Sequence, residues 1–406
     1  MKKNIKADFS KLKTFTLLLL LPTIISLKLG GLRLTPLRVM LIFNFLSSYS
    51  NVFSGRCNGK DKVDITMILF ALWCLISFAV NHGMQMALES GGVLVLETVG
   101  PYLLARSLLA SKESFEFLTS FLQKVIFGLF FLLAFESITS INVIKVFINP
   151  LFGSTYTDGI DKRFGFTRSR GGFDHPIISG VFCSSMIGLA WFSAEKKIRN
   201  TTVMVLATVT SFSSGAIASI MTQLLVIGWE KYVRNVNNRW RLLIILILIS
   251  YGIIELISNR SGIKVIISYL TFSPATAYWR TLIWEFGINN AINNPFFGIG
   301  FNDWARPSWM HSGSMDNFFL VIMVRHGFIA FSFFAYSIYS IASRLLKLNT
   351  SDPRLKAIRR GWLAGLVGLC ISACTVHFWN QAYIYLMFYL GAGCALMKFI
   401  ENKHAV

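Results

Sequence analysis

Acid is what this sequence has least of. Its 406 residues carry 19 Asp and Glu against 39 Lys and Arg, a formal net charge of +20, and charged residues of both signs make up only 14% of the chain. Soluble domains carry about 25%, so the composition excludes an ordinary soluble fold. Scarce carboxylates also argue against a metal centre. The outer loops hold no cluster of Asp, Glu and His at metal-ligand spacing, and neither metal nor cofactor is expected. Six cysteines occur, Cys57, Cys74, Cys183, Cys370, Cys374 and Cys394. All but Cys57 lie in apolar segments, and their spacing fits no zinc or redox motif, which leaves helix packing. No internal repeat is visible. The N-terminus, "MKKNIKADFSKLKTFTLLLLLPTIISLKLG", has the basic and apolar regions of a signal peptide but no small-residue cleavage site. It is expected to be an uncleaved first helix.

Apolar length is what the chain has in quantity. Hydrophobic residues make up 54%, and the mean hydropathy is +0.58. A helix crosses a bilayer in about 20 mostly apolar residues. Such windows recur near 14–30, 34–53, 64–81, 85–108, 115–139, 176–193, 200–212, 215–230, 242–258, 318–342, 361–378 and 382–399. The expected fold is therefore an all-α polytopic membrane protein of about twelve transmembrane helices, one integral membrane domain over 1–406. The pair near 200–230 is separated only by "SFSSGA".

Charge then orients the chain. With the N-terminal lysines inside, the loops "SGRCNGKDKVD", "LASKES", "AEKKIRN", "EKYVRNVNNRWR" and "SRLLKLNTSDPRLKAIRRG" fall on the same side, and all are basic. The opposite loops "NHGMQ", "SFSSGA" and "WNQAY" hold no Lys or Arg. This is the positive-inside pattern. It places both termini in the cytoplasm and accounts for the net charge without nucleic acid. Two long loops lie outside, 140–175 and 259–317, and loops of that length are usually functional. The first carries Lys145, Lys162, Arg163, Arg168 and Arg170; the second carries Arg260, Lys264, Arg280 and Arg306. Arginine beside an outer membrane surface suits a phosphate-bearing ligand through its bidentate fork. In the second loop, Ser273-Pro274 starts a helix predicted over 275–293. Trp279, Leu282, Ile283 and Phe286 share one of its faces, and "NNPFFGIG" ends it.

These motifs, taken in order, carry a resemblance. "LETVGPYLLARSLL" is followed by "GGFDHPIISG" opening a mid-chain span, then "WRTLIWE" and "NNPFFGIGF", then "SMDNFFLVIMVRHGF" opening a late span. The order and spacing resemble the O-antigen ligase and Wzy-type polysaccharide polymerase superfamily over roughly residues 90 to 400. The resemblance implies about a dozen spans with two large periplasmic loops in the bacterial inner membrane. It implies transfer of a glycan from undecaprenyl diphosphate, without metal or nucleotide, with periplasmic arginines on the diphosphate. Ligases of this superfamily typically show His-Asn where this chain has Asp316-Asn317. The Asp-Asn version is more similar to the capsule and exopolysaccharide polymerases. The expected activity is thus a polymerase extending a lipid-linked glycan; a ligase acting on lipid A–core is the alternative. A transporter or flippase for an anionic lipid or sugar would show repeats and midplane polar breaks. A non-catalytic structural or sensor protein is the remaining class.

Such a reaction needs cations for the diphosphate leaving group and a base for the acceptor hydroxyl. Arg168, Arg170, Arg280, Arg306 and Arg325 are the candidate diphosphate ligands. Asp316, Arg280, Arg325 and His311 are the candidate catalytic residues, and His175, Trp304 and Trp309 are candidates for the sugar. Each has a plainer alternative. Arg280 can snorkel to lipid phosphates, Arg168 and Arg170 can be solvated loop charges, and His175 can cap the following helix with Asp174 at its N-cap. Asp316-Asn317 can also be a cap. Arg325 lies inside an apolar span, where an ionised residue is functional by default. Glu97 and Arg106, nine apart in one span, can form a buried pair or shape a groove. Partners expected are the lipid-linked oligosaccharide, membrane lipids and a chain-length regulator.

Overall fold

A computed structural model describes residues 8–152, 161–259, 261–269, 271 and 274–404. Arg260 and Ser273 lie outside the described residues. Among those described, the only strands are two short hairpins, β1 Leu27–Leu29 with β2 Leu32–Leu34, and β3 Lys162–Arg163 with β4 Phe166–Thr167. The rest of the regular structure is helical. Among the described residues, six helical stretches are long and apolar enough to cross a membrane, and the protein is an all-α membrane protein.

The chain opens with α1 Phe9–Leu19 and α2 Pro36–Phe53, joined through the first hairpin. The first helix is shorter than the 14–30 window, because Pro22 cannot continue a helix and Gly30, at φ 58, turns the hairpin. Next come α3 Lys62–Met86 and α4 Gly92–Leu108, linked by a π-helical turn at Ala87–Gly91. They form one antiparallel hairpin. Asp64 at the start of α3 meets Arg106 at the end of α4 at 2.8 Å. Glu97 instead pairs with Arg38 of α2, also at 2.8 Å. Glu97 and Arg106 are therefore not partners: a helix places residues nine apart more than two turns from each other.

Then follow α5 Lys112–Thr139, the short α6 Val143–Ile148, α7 Pro176–Ser184 with α8 Ile187–Ser193, α9 Lys197–Val209 and α10 Ser214–Tyr232. Next are α11 Arg239–Ile257, α12 Gly262–Tyr269 and α13 Pro274–Asn293. The chain ends in α14 Phe318–Lys347, α15 Pro353–Ala373 and α16 Asn380–His404. Proline at the first position opens α2, α7 and α15 behind Thr35, His175 and Asp352 caps, where its missing N–H costs nothing. The core lies along α4, α7 and α16, and Tyr102, Phe182 and Leu390 are all buried there. In contrast, α11 carries no buried residue although it is mostly apolar from Leu242 to Ile254. Such a surface is stable against lipid and not against water.

The bundle has two chemically distinct ends. At one, Asp174 accepts from the Thr23 hydroxyl at 2.8 Å and from Asn380 at 2.9 Å. There the Gln381 side chain also donates to the carbonyl of Leu21. At the other, Arg344 bridges Asp61 and Glu401, and Lys112 meets Asp352 at 2.7 Å.

Candidate functional site

Arg325 is presented by a break in its helix. In α14, Gly327 takes φ 81, ψ 174, and in the neighbouring α3, Gly83 takes φ 80, ψ 173. This region is open essentially to glycine alone. A break frees backbone groups that must find partners inside the protein. The segment after α13, "NNPFFGIGF", supplies them. Ile299 N–H donates to the Val324 carbonyl and Gly300 N–H to the Arg325 carbonyl, both at 2.9 Å. Phe328 N–H returns to the Pro295 carbonyl at 2.7 Å. From α3, Ser77 Oγ lies 2.6 Å from the Phe297 carbonyl and 3.0 Å from that of Arg325. His82 Nε2 accepts from Phe301 N–H at 2.7 Å. The fit tolerates no side chain at Gly298, Gly300 or Gly327: a Cβ there would overlap Arg325, His82 and Phe296 respectively.

This clasp forms one wall of a cavity of about 410 Å³. Arg325, His326, Phe301, Arg33, Arg38 and Glu97 line it, as do Glu89, His377, Trp379 and Asn380. The Arg325 guanidinium lies over the Phe301 ring, 5.3 Å from its centroid. Among the described residues no carboxylate pairs with it. Arg38 and Glu97 neutralise each other, and Arg33 donates to the Ser26 hydroxyl and the Thr23 carbonyl. The cavity is thus a half-apolar pocket with a surplus of arginine over available carboxylate. Burial, with Arg325 close by, pushes the His377 imidazole down to about 4, so it is neutral at pH 7.

A second set of candidates gathers around Asp316. Arg280 is buried on α13 and donates to the Thr271 hydroxyl at 3.3 Å, while its Nε is buried without a partner. Burial lowers its pKa, the Asp316 charge opposes that, and Arg163 adds to it. Asp316 accepts from Ser314 Oγ at 3.1 Å. Its neighbour Asn317 caps α14, accepting from Leu320 N–H at 3.0 Å, so the carboxylate is not spent on the cap.

The remaining candidates hold loops. Arg168 pairs with Asp161 at 2.6 Å and donates to the Ser211 carbonyl. The backbone N–H groups of Arg170 and Gly171 donate to Glu136. His175, not Asp174, caps α7: its Nδ1 accepts from Ile177 N–H at 3.2 Å. Burial and the nearby Arg168 and Arg170 push its pKa down to about 4. The His175 ring meets Trp379 at 5.7 Å, so this turn borders the cavity. Arg306 pairs with Asp303, donates to the Met310 carbonyl and lies over Trp304. Trp304 is buried and donates to the Gly313 carbonyl. Trp309 is exposed beside Trp279, and His311 is exposed.

Arg33, Arg38, His326 and His377 are absent from the sequence-derived set. The first two had a legible signal: Arg33 is a basic residue between the first two apolar windows, and Arg38 is a charge inside the second. The two histidines had none, because only the fold turns them toward Arg325.

A family model described as O-antigen ligase matches residues 200–335. The matched segment includes α13, the clasp, Asp316 and Arg325. The expected resemblance thus holds for the part of the chain that builds the Arg325 wall. No curated protein matches the chain.

Proposed function

We propose that the protein is a polysaccharide polymerase, transferring glycan from an undecaprenyl-diphosphate-linked oligosaccharide to a growing lipid-linked glycan. Arg325 carries this reading. It is a cation inside an apolar helix, facing a cavity and lacking a carboxylate partner, so a bound anion would complete its charge balance. A diphosphate seated there, with Arg33 contributing from the rim, leaves with its developing charge already compensated. The phenyl and indole groups of Phe301 and Trp379 suit the apolar carrier and the sugar faces.

The basic end of the bundle, with Lys60, Lys62, Lys112, Lys196 and Arg199, is the cytoplasmic one under the positive-inside rule. The cavity end then faces the periplasm of a bacterial inner membrane, after about twelve crossings. Asp316, where ligases carry histidine, favours polymerase over ligase. The absence of sequence repeats and the placement of charge near one boundary speak against a transporter.

The test is removal of the protein from its host and electrophoresis of the surface glycans. Loss of chain length with single-unit-capped acceptors supports the polymerase. Full-length chains stranded on the lipid carrier would make it a ligase, and unaltered glycans would end the reading.

A further inference from the structure

We infer that His326 is the base that takes the proton from the acceptor hydroxyl, a role that rests on the transfer reaction proposed above. Ser77 is buried between three elements. Its Oγ is 2.6 Å from the Phe297 carbonyl, 3.0 Å from the Arg325 carbonyl and 3.2 Å from His326 Nδ1. A hydroxyl has one proton and two lone pairs. Carbonyls only accept, so they claim that proton. The contact with Nδ1 is then favourable in one arrangement: Nδ1–H donates to Ser77 Oγ. A neutral imidazole with its proton on Nδ1 has its lone pair on Nε2.

Nothing among the described residues hydrogen-bonds Nε2, and the ring lines the cavity that holds Arg325. Phe78 meets the ring edge-on at 5.0 Å and 82°, which fixes its plane. The break at Gly327 lets two consecutive residues, Arg325 and His326, face one cavity. One supplies positive charge and the next a lone pair. Asp316 does not line this cavity, and His377, which does, has a buried Nδ1 without a partner, so no protein group fixes its tautomer.

The step balances without a further reactant. Nε2 takes the hydroxyl proton, and the freed oxygen pair bonds the anomeric carbon. The bond from that carbon to the diphosphate oxygen breaks, and its pair stays on the diphosphate beside Arg325. The imidazolium passes its proton to the diphosphate or to water and is restored.

His326→Asn is the decisive variant, because its amide can still donate to Ser77 Oγ while offering no base toward the cavity. The full chain is reconstituted in lipid nanodiscs with a lipid-diphosphate-linked oligosaccharide, and turnover and donor affinity are both measured. Turnover should fall by about a hundredfold or more with donor affinity unchanged, and imidazole should restore part of the activity of His326→Ala. Ser77→Ala should lower turnover less, since it frees the tautomer but keeps the base. Near-normal turnover of His326→Asn alongside an inactive Arg325→Ala would overturn the role of His326 and leave the donor site standing. Loss of donor binding in His326→Asn would make the histidine structural and overturn it too. An active Arg325→Ala would bring down the transfer reading itself.

Discussion

Arg106 and Arg325, at opposite ends of the bundle, are held in opposite ways. At the basic end, Arg106 is fully buried and bidentate on Asp64, 2.8 and 3.0 Å away, and the same carboxylate accepts from Tyr102 and from the backbone N–H of Asp61. Arg344 likewise grips Asp61 and Glu401. At the cavity end, Arg325 has an aromatic face beneath it and Arg280 a threonine hydroxyl. Burying a cation costs several kcal/mol unless it is compensated. The first pair meets that cost internally and is finished as structure. The second pair is left open toward a cavity or a loop, where a ligand's charge can supply what the protein withholds. Buried arginine alone thus marks nothing; its partner decides between scaffold and site.

The largest contrast should come from truncating one arginine at each end. Arg106→Ala strands a buried carboxylate, at about 3–5 kcal/mol, and should lower the yield of folded protein and its melting temperature. Arg325→Ala should leave both near wild type, yet cut glycan transfer by on the order of 10²–10³. Thermal denaturation in detergent and a transfer assay together separate the two. A destabilised, still active Arg325→Ala would erase the distinction.

Next in size is the clasp. Gly327→Ala forces a Cβ into a conformation that costs about 1–3 kcal/mol and against the Phe296 carbonyl. The prediction is a moderate loss of stability with a larger loss of activity, because the wall that aims Arg325 is displaced. Equal losses of both would make the break merely structural.

A smaller effect should appear with pH. His175 and His377 both fall to about 4 in the folded protein, against about 6.5 in an unfolded chain. The unfolded chain binds the extra protons, so stability is complete above pH 6.5 and declines as pH drops toward 4. The decline is at most about 1.4 kcal/mol per pH unit for each histidine. His175→Asn keeps a capping side chain and should remove one share of that decline. An unchanged slope in melting temperature would show that His175 does not titrate in this window.

Helix positions were legible because the bilayer demands length: the windows at 64–81 and 115–139 fall within α3 and α5, and that at 85–108 covers all of α4 with the turn before it. The first window failed past Leu19, where Pro22 and Gly30 outweighed apolar content. The helix predicted over 275–293 matches α13, but of the face expected to be apolar only Leu282 and Ile283 are buried, while Trp279 is exposed. Arg325 was legible as a charge in an apolar run. Ser77, His82 and His326 were not, since their roles arise from contacts more than 200 residues apart in sequence. Of the two glycine breaks, "NHG" fell in the loop expected between two spans, whereas "RHG" looks like ordinary helix until the loop that clasps it is in place.

The smallest predicted effect sharpens the comparison from the structural side. Glu401 contacts Arg344 through both oxygens, at 2.7 and 2.8 Å, a geometry that suggests strength. Yet the Arg344 side chain is 33% exposed, against 0% for Arg106, and water screens a pair at that depth. Arg344 also keeps Asp61 when Glu401 loses its charge. Glu401→Gln should therefore cost no more than about 1 kcal/mol and leave transfer untouched, whereas Asp64→Asn, at a similar distance from its arginine, should cost several times as much. Comparable losses in the two variants would mean that burial does not set the value of these pairs. The inference drawn from the open arginines at the other end would then lose its physical basis.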